Sequence, residues 1–210
     1  MVFFMKRIIS TKVSEKELID ICDEISKMDV DCSIESKTVG TYSNNNETIK
    51  SLRIKLYGYD RNKITEDYKD IRNMMERIKR KHIGDKNNYY HYTLNDLKYP
   101  VNKELIFDTL KALNVDYVYE DNTLKCKCPL NKLIDIVKDL HNIYSEMEFM
   151  NIGSKPVKNV IALVSFITGK DIEEILNECL KEGYLREEDY GKIVLNKDIN
   201  YIKKHYGIKT

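Results

Sequence analysis

Hydrophobic residues along 1–86 switch between the two-residue spacing of strands and the spacing of helices, and these switches predict the order of the elements. Apolar and polar residues alternate from Leu52 to Leu56, so one face of that strand packs on a core. Ser14 and Glu17 have the spacing of a capping box, which predicts a helix start. The predicted elements are strands at 6–13, 31–39 and 48–57, a turn at 43–46, a helix with apolar residues from Leu18 to Met28, and a helix with apolar residues from Ile64 to Ile78.

Residues 87–150 repeat much of this order. The alternation at 124–128 matches that at 52–56 at an offset of 72 residues, and a helix follows both. This suggests two diverged β-α-β-β-α units, although similar patterns arise by chance in α+β proteins. The first segment of this region is either a strand or an extended lead-in. The elements are that segment at 89–94, a helix after Pro100, a hairpin of 115–120 and 123–128, and a helix that Pro129 opens.

The pattern becomes mostly helical after residue 150. A helix with its first turn at Pro156 ends at Gly169, and a second helix, capped by Asp171, follows at once. A short hairpin and a last helix complete the chain, which is the order of a helix-turn-helix with a wing. We therefore predict an α+β protein: two ferredoxin-like units at 1–86 and 87–150, then a small winged-helix-like domain at 151–210.

Composition narrows the class of protein. The chain has 35 Lys and Arg against 34 Asp and Glu, so no global charge favours a nucleic-acid coat or a membrane surface. No stretch approaches the roughly 18 apolar residues of a membrane helix. The apolar run at the start of the chain ends at Lys6 and is too short for a signal segment. We expect a soluble, cytoplasmic protein with no membrane partner.

The five cysteines predict reduced thiols. Their number is odd, and Cys126 and Cys128 share one face of a strand with Leu124. A metal site would add His141 and still lack a fourth ligand, and tetrahedral sites usually use wider cysteine pairs. We interpret these thiols as small buried hydrophobes and expect no metal.

The sequence contains no convergent catalytic set. It has no G-x₄-G-K-[ST] or G-x-G-x-x-G loop, so no nucleotide cofactor is expected. His91, flanked by Tyr90 and Tyr92, is the centre of the most plausible polar cluster in the chain, and we take these three residues as a candidate ligand site. The competing interpretation is a half-buried strand with a hydrogen-bonded histidine, because no nucleophile or second base accompanies His91. We expect a protein without enzymatic activity and without cofactors.

Two basic groups in 1–86 are candidates for nucleic-acid binding, and this region has 18 basic against 15 acidic residues. One group lies on the outer face of a strand, where basic residues interleaved with tyrosine suit phosphates and bases; an ordinary solvated face explains it equally well. The other lies at a helix end, where complementing the helix dipole is the alternative. The candidates are Arg53, Lys55 and Tyr57 on the strand, and Arg77, Arg80 and Lys81 on the helix.

Short motifs add a resemblance. They are YHYTLNDL at 90–97 followed by Pro100-Val101, TGKD at 168–171, EGYL at 182–185 and GKIVL at 191–195. In these motifs the chain resembles an archaeal family, domain of unknown function 2067. The resemblance implies an archaeal cytoplasmic protein with a helix-turn-helix-like C-terminal region, and it supplies no catalytic residues.

These observations lead to one functional expectation and one alternative. We expect a regulatory or RNA-associated protein that binds RNA through 1–86. The second helix of 151–210 carries several glutamates that phosphates would repel, so this region suits a protein partner or a homodimer rather than DNA. The alternative is a small-molecule sensor with a ligand site between the paired units.

Overall fold

A computed structural model describes residues 4–41 and 48–209, and the chain divides into two compact units between Asn88 and Tyr89. The predicted boundary after residue 86 lies two residues from this division. The turn predicted at 43–46 lies outside the described residues. The mixed α+β class is confirmed, because helices and small antiparallel sheets occur in both units.

The first unit is a three-stranded sheet with two helices. Its strands lie in the order β1-β3-β2, and each neighbouring pair is antiparallel. The capping box is confirmed, since the Ser14 backbone N–H donates to Glu17 Oε2 at 2.7 Å and the Glu17 N–H donates to Ser14 Oγ at 3.3 Å. The elements are β1 Met5–Ser14, α1 Glu15–Ile25, β2 Cys32–Thr41, β3 Thr48–Gly58 and α2 Arg61–His82.

Both helices cover one face of this sheet. Leu52, Ile54 and Leu56 of β3 are fully buried in one cluster with Ile21 of α1 and Ile71 of α2. Because side chains alternate along a strand, the residues between these three face away from the helices. The first unit therefore has an inner sheet face under the helices and an outer sheet face without a helix layer of its own.

The second unit begins with a sheet of the same strand order. The segment at 90–93 is a strand, and its neighbours give the antiparallel order β4-β6-β5. Leu124 of β6 lies opposite Tyr92 and Tyr119, as Leu52 of β3 lies opposite Thr11 and Ser36. The elements are β4 Tyr90–Thr93, α3 Lys103–Ala112, β5 Tyr117–Glu120, β6 Thr123–Cys126, α4 Leu130–Glu146, α5 Lys155–Thr168, α6 Ile172–Lys181, β7 Leu185–Glu188, β8 Lys192–Leu195 and α7 Ile199–His205.

One continuous core joins 89–150 to 151–210. Leu110 of α3 and Leu140 of α4 are buried in the same cluster as Val157 and Ile161 of α5. The predicted boundary at residue 150 thus crosses this core, and whether 1–150 stays folded without 151–210 remains a prediction for a truncated chain.

Gly153 shows how closely the joining segment approaches the β7–β8 hairpin. Its N–H donates to the Ile193 carbonyl at 2.8 Å, and a Cβ there would lie 2.9 Å from Val194 Cγ1. Only glycine therefore fits without moving the hairpin. Among the described residues, no helix is long and apolar enough to cross a membrane.

Candidate nucleic-acid interface

The outer face of the first sheet follows from the strand register. Arg53, Lys55 and Tyr57 of β3 lie between the three buried residues of that strand, so all three belong to this face. Directly paired residues of antiparallel strands share a face, which adds positions from β1 and β2. The outer face comprises Lys6, Ile8, Ser10 and Lys12 of β1, Ser51, Arg53, Lys55 and Tyr57 of β3, and Ser33, Glu35 and Lys37 of β2.

This face is strongly basic. Five of its residues are cationic and one, Glu35, is acidic. Lys55 forms the ion pair with Glu35, and this hydrogen bond lowers the pKa of the Glu35 carboxyl, with Arg53 and Lys6 adding attraction. Within the described ranges the other four cations, which are Lys6, Lys12, Lys37 and Arg53, form no ion pair.

Aromatic rings lie at one end of the same face. The Phe4 ring stacks on Tyr57 at 5.7 Å between centroids and meets Tyr59 edge-on at 5.4 Å. Phe4 and Tyr59 are 59% and 65% exposed, and the Lys6 ammonium lies 6.0 Å from the Tyr57 ring centre. Sequence reasoning missed both exposed rings, although their positions beside strand ends were a signal. Together they provide flat surfaces on which bases can stack next to cations.

The second predicted basic group lies on the other side of the first unit. Arg77, Arg80 and Lys81 are on α2, which covers the inner sheet face, so the structure does not bring them together with Arg53. The Arg77 guanidinium donates to Glu24 Oε2 at 2.8 Å, and the Lys81 ammonium lies 3.1 Å from Asp20 Oδ2. Arg80 is exposed.

Asp20 connects the middle of α1 to the last turn of α2. Its carboxylate lies 2.9 Å from His82 Nε2 as well as close to Lys81. Burial raises the pKa of Asp20, but the hydrogen bonds from His82 and Lys81 outweigh that effect and the pKa is lowered. This side of the first unit is therefore a set of ion pairs that tie α2 to α1.

Tyr90, His91 and Tyr92 do not converge on one site. Tyr92 is buried, its hydroxyl donates to the Cys128 carbonyl at 2.7 Å, and burial raises its pKa. Tyr90 stacks on Tyr92 at 6.2 Å, on the inner face. His91 points to the opposite face, where it pairs in register with Lys125.

The neighbouring cysteines are buried thiols, as the sequence predicts. Cys126 and Cys128 are 0% and 2% exposed. Burial raises the pKa of Cys126 to about 12 and raises that of Cys128 as well, so both stay protonated at neutral pH. Across residues 4–41 and 48–209, no group of three or more His, Cys, Asp or Glu is placed to hold a metal ion.

The outer face of the second sheet offers a different charge pattern. Lys125 pairs with Glu120 at 3.3 Å, and Lys127 pairs with Asp116 at 2.8 Å. The cations that correspond to Arg53 and Lys55 are therefore neutralised by their neighbours. This leaves the outer face of the first sheet as the candidate interface.

Comparison with known proteins places similar chains in methanogenic archaea. The family described as "Uncharacterized protein conserved in archaea (DUF2067)" matches residues 12–204. An uncharacterized protein of Methanococcus vannielii is 48% identical over 202 residues, which cover 95% of this chain and 97% of the relative. Uncharacterized protein MJ0388 of Methanocaldococcus jannaschii is 44% identical over 203 residues, covering 95% and 92%. No solved structure shows significant similarity.

Proposed function

We propose that this chain, which belongs to the archaeal family DUF2067, is a non-enzymatic RNA-associated protein that binds single-stranded RNA on the outer face of its first sheet. The observation that carries the proposal is the combination on that face of four cations without an ion pair among the described residues and two exposed rings, Phe4 and Tyr59. Unpaired cations attract the phosphates, and each stacked base contributes about 1–3 kcal/mol.

The topology supports this use of the sheet. We interpret both β-α-β-β-α units as ferredoxin-like and related by duplication, because they share the strand order and the 72-residue offset between Leu52 and Leu124. In such units the helices cover one sheet face, and the other face is free to stack bases, as in RNA-recognition sheets.

The region 151–210 contributes protein contacts in this proposal. We interpret α5, α6 and the β7–β8 hairpin as winged-helix-like. Glu173 of α6 and Glu182 just after it are exposed and form no ion pair among the described residues, so they disfavour a DNA groove. Two fully exposed rings, Phe149 at 96% and Tyr190 at 99%, are suitable anchors for a partner protein or a second copy.

Sedimentation at increasing protein concentration tests this contact. For a homodimer, the wild-type chain self-associates, and Phe149→Ser with Tyr190→Ser reduces the association. A monomer at every concentration would rule out the homodimer and leave the partner protein.

Salt dependence of RNA binding tests the central proposal. We expect a labelled single-stranded RNA of about twelve nucleotides to bind more weakly as salt rises, and Arg53→Gln to lower the slope of log K against log salt by about 0.7. Fluorescence anisotropy at 50, 100 and 200 mM salt measures it.

The second sheet supplies the matched control. Lys125→Gln removes a charge from the equivalent position, and we expect the RNA affinity to stay unchanged because Lys125 is paired with Glu120. Failure of the wild-type chain to bind RNA at low salt would contradict the proposal, and so would an equal loss in both variants. Salt-independent binding of a small molecule would support the sensor instead.

A further inference from the structure

A basic cleft lies on the first unit beside β1. It has a volume of about 430 Å³ and is open to solvent, between the first half of α2 and the start of β1. Three of its lining residues are cations and one is a carboxylate. The lining residues are Arg7, Arg61, Asn62, Thr65, Glu66 and Lys69.

The three cations of this cleft differ from Lys63, Arg77 and Lys81 of the same side, which are ion-paired. Arg77 and Lys81 each pair with a carboxylate of α1, and Lys63 lies 3.6 Å from Asp29. By contrast, Arg7, Arg61 and Lys69 form no ion pair with any residue of the described ranges. Three cations against the single carboxylate of Glu66 leave the cleft with an excess of positive charge, and an anion that entered would offset the repulsion among the cations.

Arg7 is held in position before any ligand arrives. Its guanidinium lies over the Tyr68 ring at 5.3 Å from the ring centre, and the residue is only partly exposed. A planar guanidinium with a fixed direction suits a phosphate, since its N–H groups can donate in pairs to phosphate oxygens. The arrangement therefore provides one oriented donor, Arg7, and two exposed charges, Arg61 and Lys69.

The location of the cleft connects it with the outer face. Arg7 and Lys6 are consecutive in β1, so Lys6 lies on the outer face and Arg7 on the inner side. β1 is an edge strand, because β3 is its only strand neighbour among the described residues. An RNA chain that leaves the outer face at Lys6 therefore has to pass around one edge strand, β1, to reach Arg7 on the other side.

We propose that the cleft of Arg7, Arg61 and Lys69 binds a backbone phosphate of the RNA strand that lies on the outer face of the first sheet. This inference rests on the proposed function and names a second contact of the same ligand. The recognised chemistry is a phosphodiester anion, and the bases stay with the rings of the outer face.

The test uses the full chain with Arg61→Gln and Lys69→Gln combined. Both residues are exposed on α2, so the fold is retained. Losing one phosphate contact lowers the salt slope for the twelve-nucleotide RNA by about 0.7 and weakens binding about 3- to 10-fold at 100 mM salt. Lys79→Gln, at the exposed far end of the same helix, is the matched control and leaves the slope unchanged.

A second measurement separates the polymer from a free anion. Titration of the wild-type chain with inorganic phosphate gives no saturable binding below about 10 mM. A single phosphate contact is too weak to hold a free anion, and it contributes to binding only when the outer face already holds the rest of the RNA strand. Saturable binding of free phosphate, together with unchanged RNA affinity of the double variant, overturns the proposal in favour of a small-anion site.

The outcomes for the two proposals are distinct. If Arg53→Gln weakens RNA binding and the cleft variant does not, the cleft inference is wrong and the proposed function stands. If the wild-type chain binds no RNA, both fail together.

Discussion

Arg53 of the first sheet and Lys125 of the second occupy equivalent positions, each on the middle strand and facing away from the core. Arg53 forms no ion pair within the described part of the chain, whereas Lys125 pairs with Glu120. The strands differ as well, since those of the first sheet span 10 or 11 residues and those of the second span four. One strand order therefore supports a long basic surface in one unit and a short, neutralised surface in the other.

The difference shows where binding chemistry resides in such units. An exposed ion pair contributes only about 0–1 kcal/mol to stability, so pairing Lys125 does little for the fold. It does remove a positive charge that would attract phosphates. The backbone arrangement is thus compatible with RNA binding in both units, and the side chains on the outer face decide which unit can perform it.

The cores behind the two sheets also differ. Among the residues that the structure describes, the buried cluster of the first sheet includes α1 and α2 and no other helix, while the helices behind the second sheet share their core with α5. We therefore expect the largest effect from a chain that ends at Met150. Removing 151–210 uncovers buried residues of α3 and α4, so 89–150 loses cooperative folding while the first unit stays folded.

Urea unfolding followed by amide exchange measures this truncation. Protected amides only in β1–β3, α1 and α2 are the expected result. A second cooperative transition from 89–150 would contradict it and would establish the separate third domain that the sequence predicts.

Two leucines at equivalent positions of the two sheets test the separation of the cores, with a smaller expected effect on stability than the truncation. Leu52 and Leu124 are both fully buried on middle strands, so Leu52→Ala and Leu124→Ala should each cost about 2–5 kcal/mol of unfolding free energy. We expect Leu52→Ala to weaken amide protection in the first unit and Leu124→Ala to weaken it in the second, including α5. Arg53→Ala and Lys125→Ala are the surface controls, within about 0.5 kcal/mol of wild type.

Amide exchange on all four variants gives the measurement. Loss of protection in α5 from Leu52→Ala, or none there from Leu124→Ala, would contradict the division of the two cores.

The sequence predicted those parts of the fold that depend on local spacing. The capping box of Ser14 and the buried alternation from Leu52 to Leu56 both follow from residues a few positions apart. The orientation of the Arg77 side chain toward α1 could not be predicted from the sequence. Its partner Glu24 lies 53 residues away, and a helical pattern does not identify the neighbouring helix. The basic cleft could not be predicted from the sequence for the same reason, because Arg7 and Arg61 come together only through the packing of β1 against α2.

A substitution at Asp20 measures how much the ion pairs on the helix side of the first unit contribute to stability, in contrast to the unpaired cations of the outer face. Its pKa is lowered from the ordinary 3.8, so its charge contributes stability at pH values above 3.8, and that contribution is lost as pH falls through the lowered value. We expect Asp20→Asn to lower the unfolding free energy by about 1 kcal/mol at pH 7, and we expect its difference from wild type to shrink as the pH falls below 3.8.

Asp23→Asn is the control for this pair of measurements. Asp23 is exposed, and its carboxylate has no hydrogen bond or ion pair among the described residues, so its replacement should have little effect at either pH. Urea titrations at pH 7 and pH 2.5 decide the matter. An Asp20→Asn effect that is no smaller at pH 2.5 than at pH 7 would show that lost packing, rather than lost charge, causes it.

The smallest expected effect compares two hairpin turns of the second unit. The β5–β6 turn places Asp121 and Asn122 at φ of 49° and 59°, and these residue types tolerate the left-handed region. The β7–β8 turn places Tyr190 there, at φ 66°, with its side chain 99% exposed. Tyr190→Gly relieves this backbone strain and removes no packing, so we expect the unfolding free energy to rise by up to about 1 kcal/mol.

Tyr190→Phe keeps both the ring and the strain, and it should match wild type. Thermal and urea unfolding of both variants measure the difference. A lower stability of Tyr190→Gly would mean that the ring makes stabilising contacts in the free chain. If Tyr190→Gly is more stable but self-associates more weakly, the Tyr190 ring serves binding. The backbone strain at this residue would then be retained because the ring contacts a second copy of the chain.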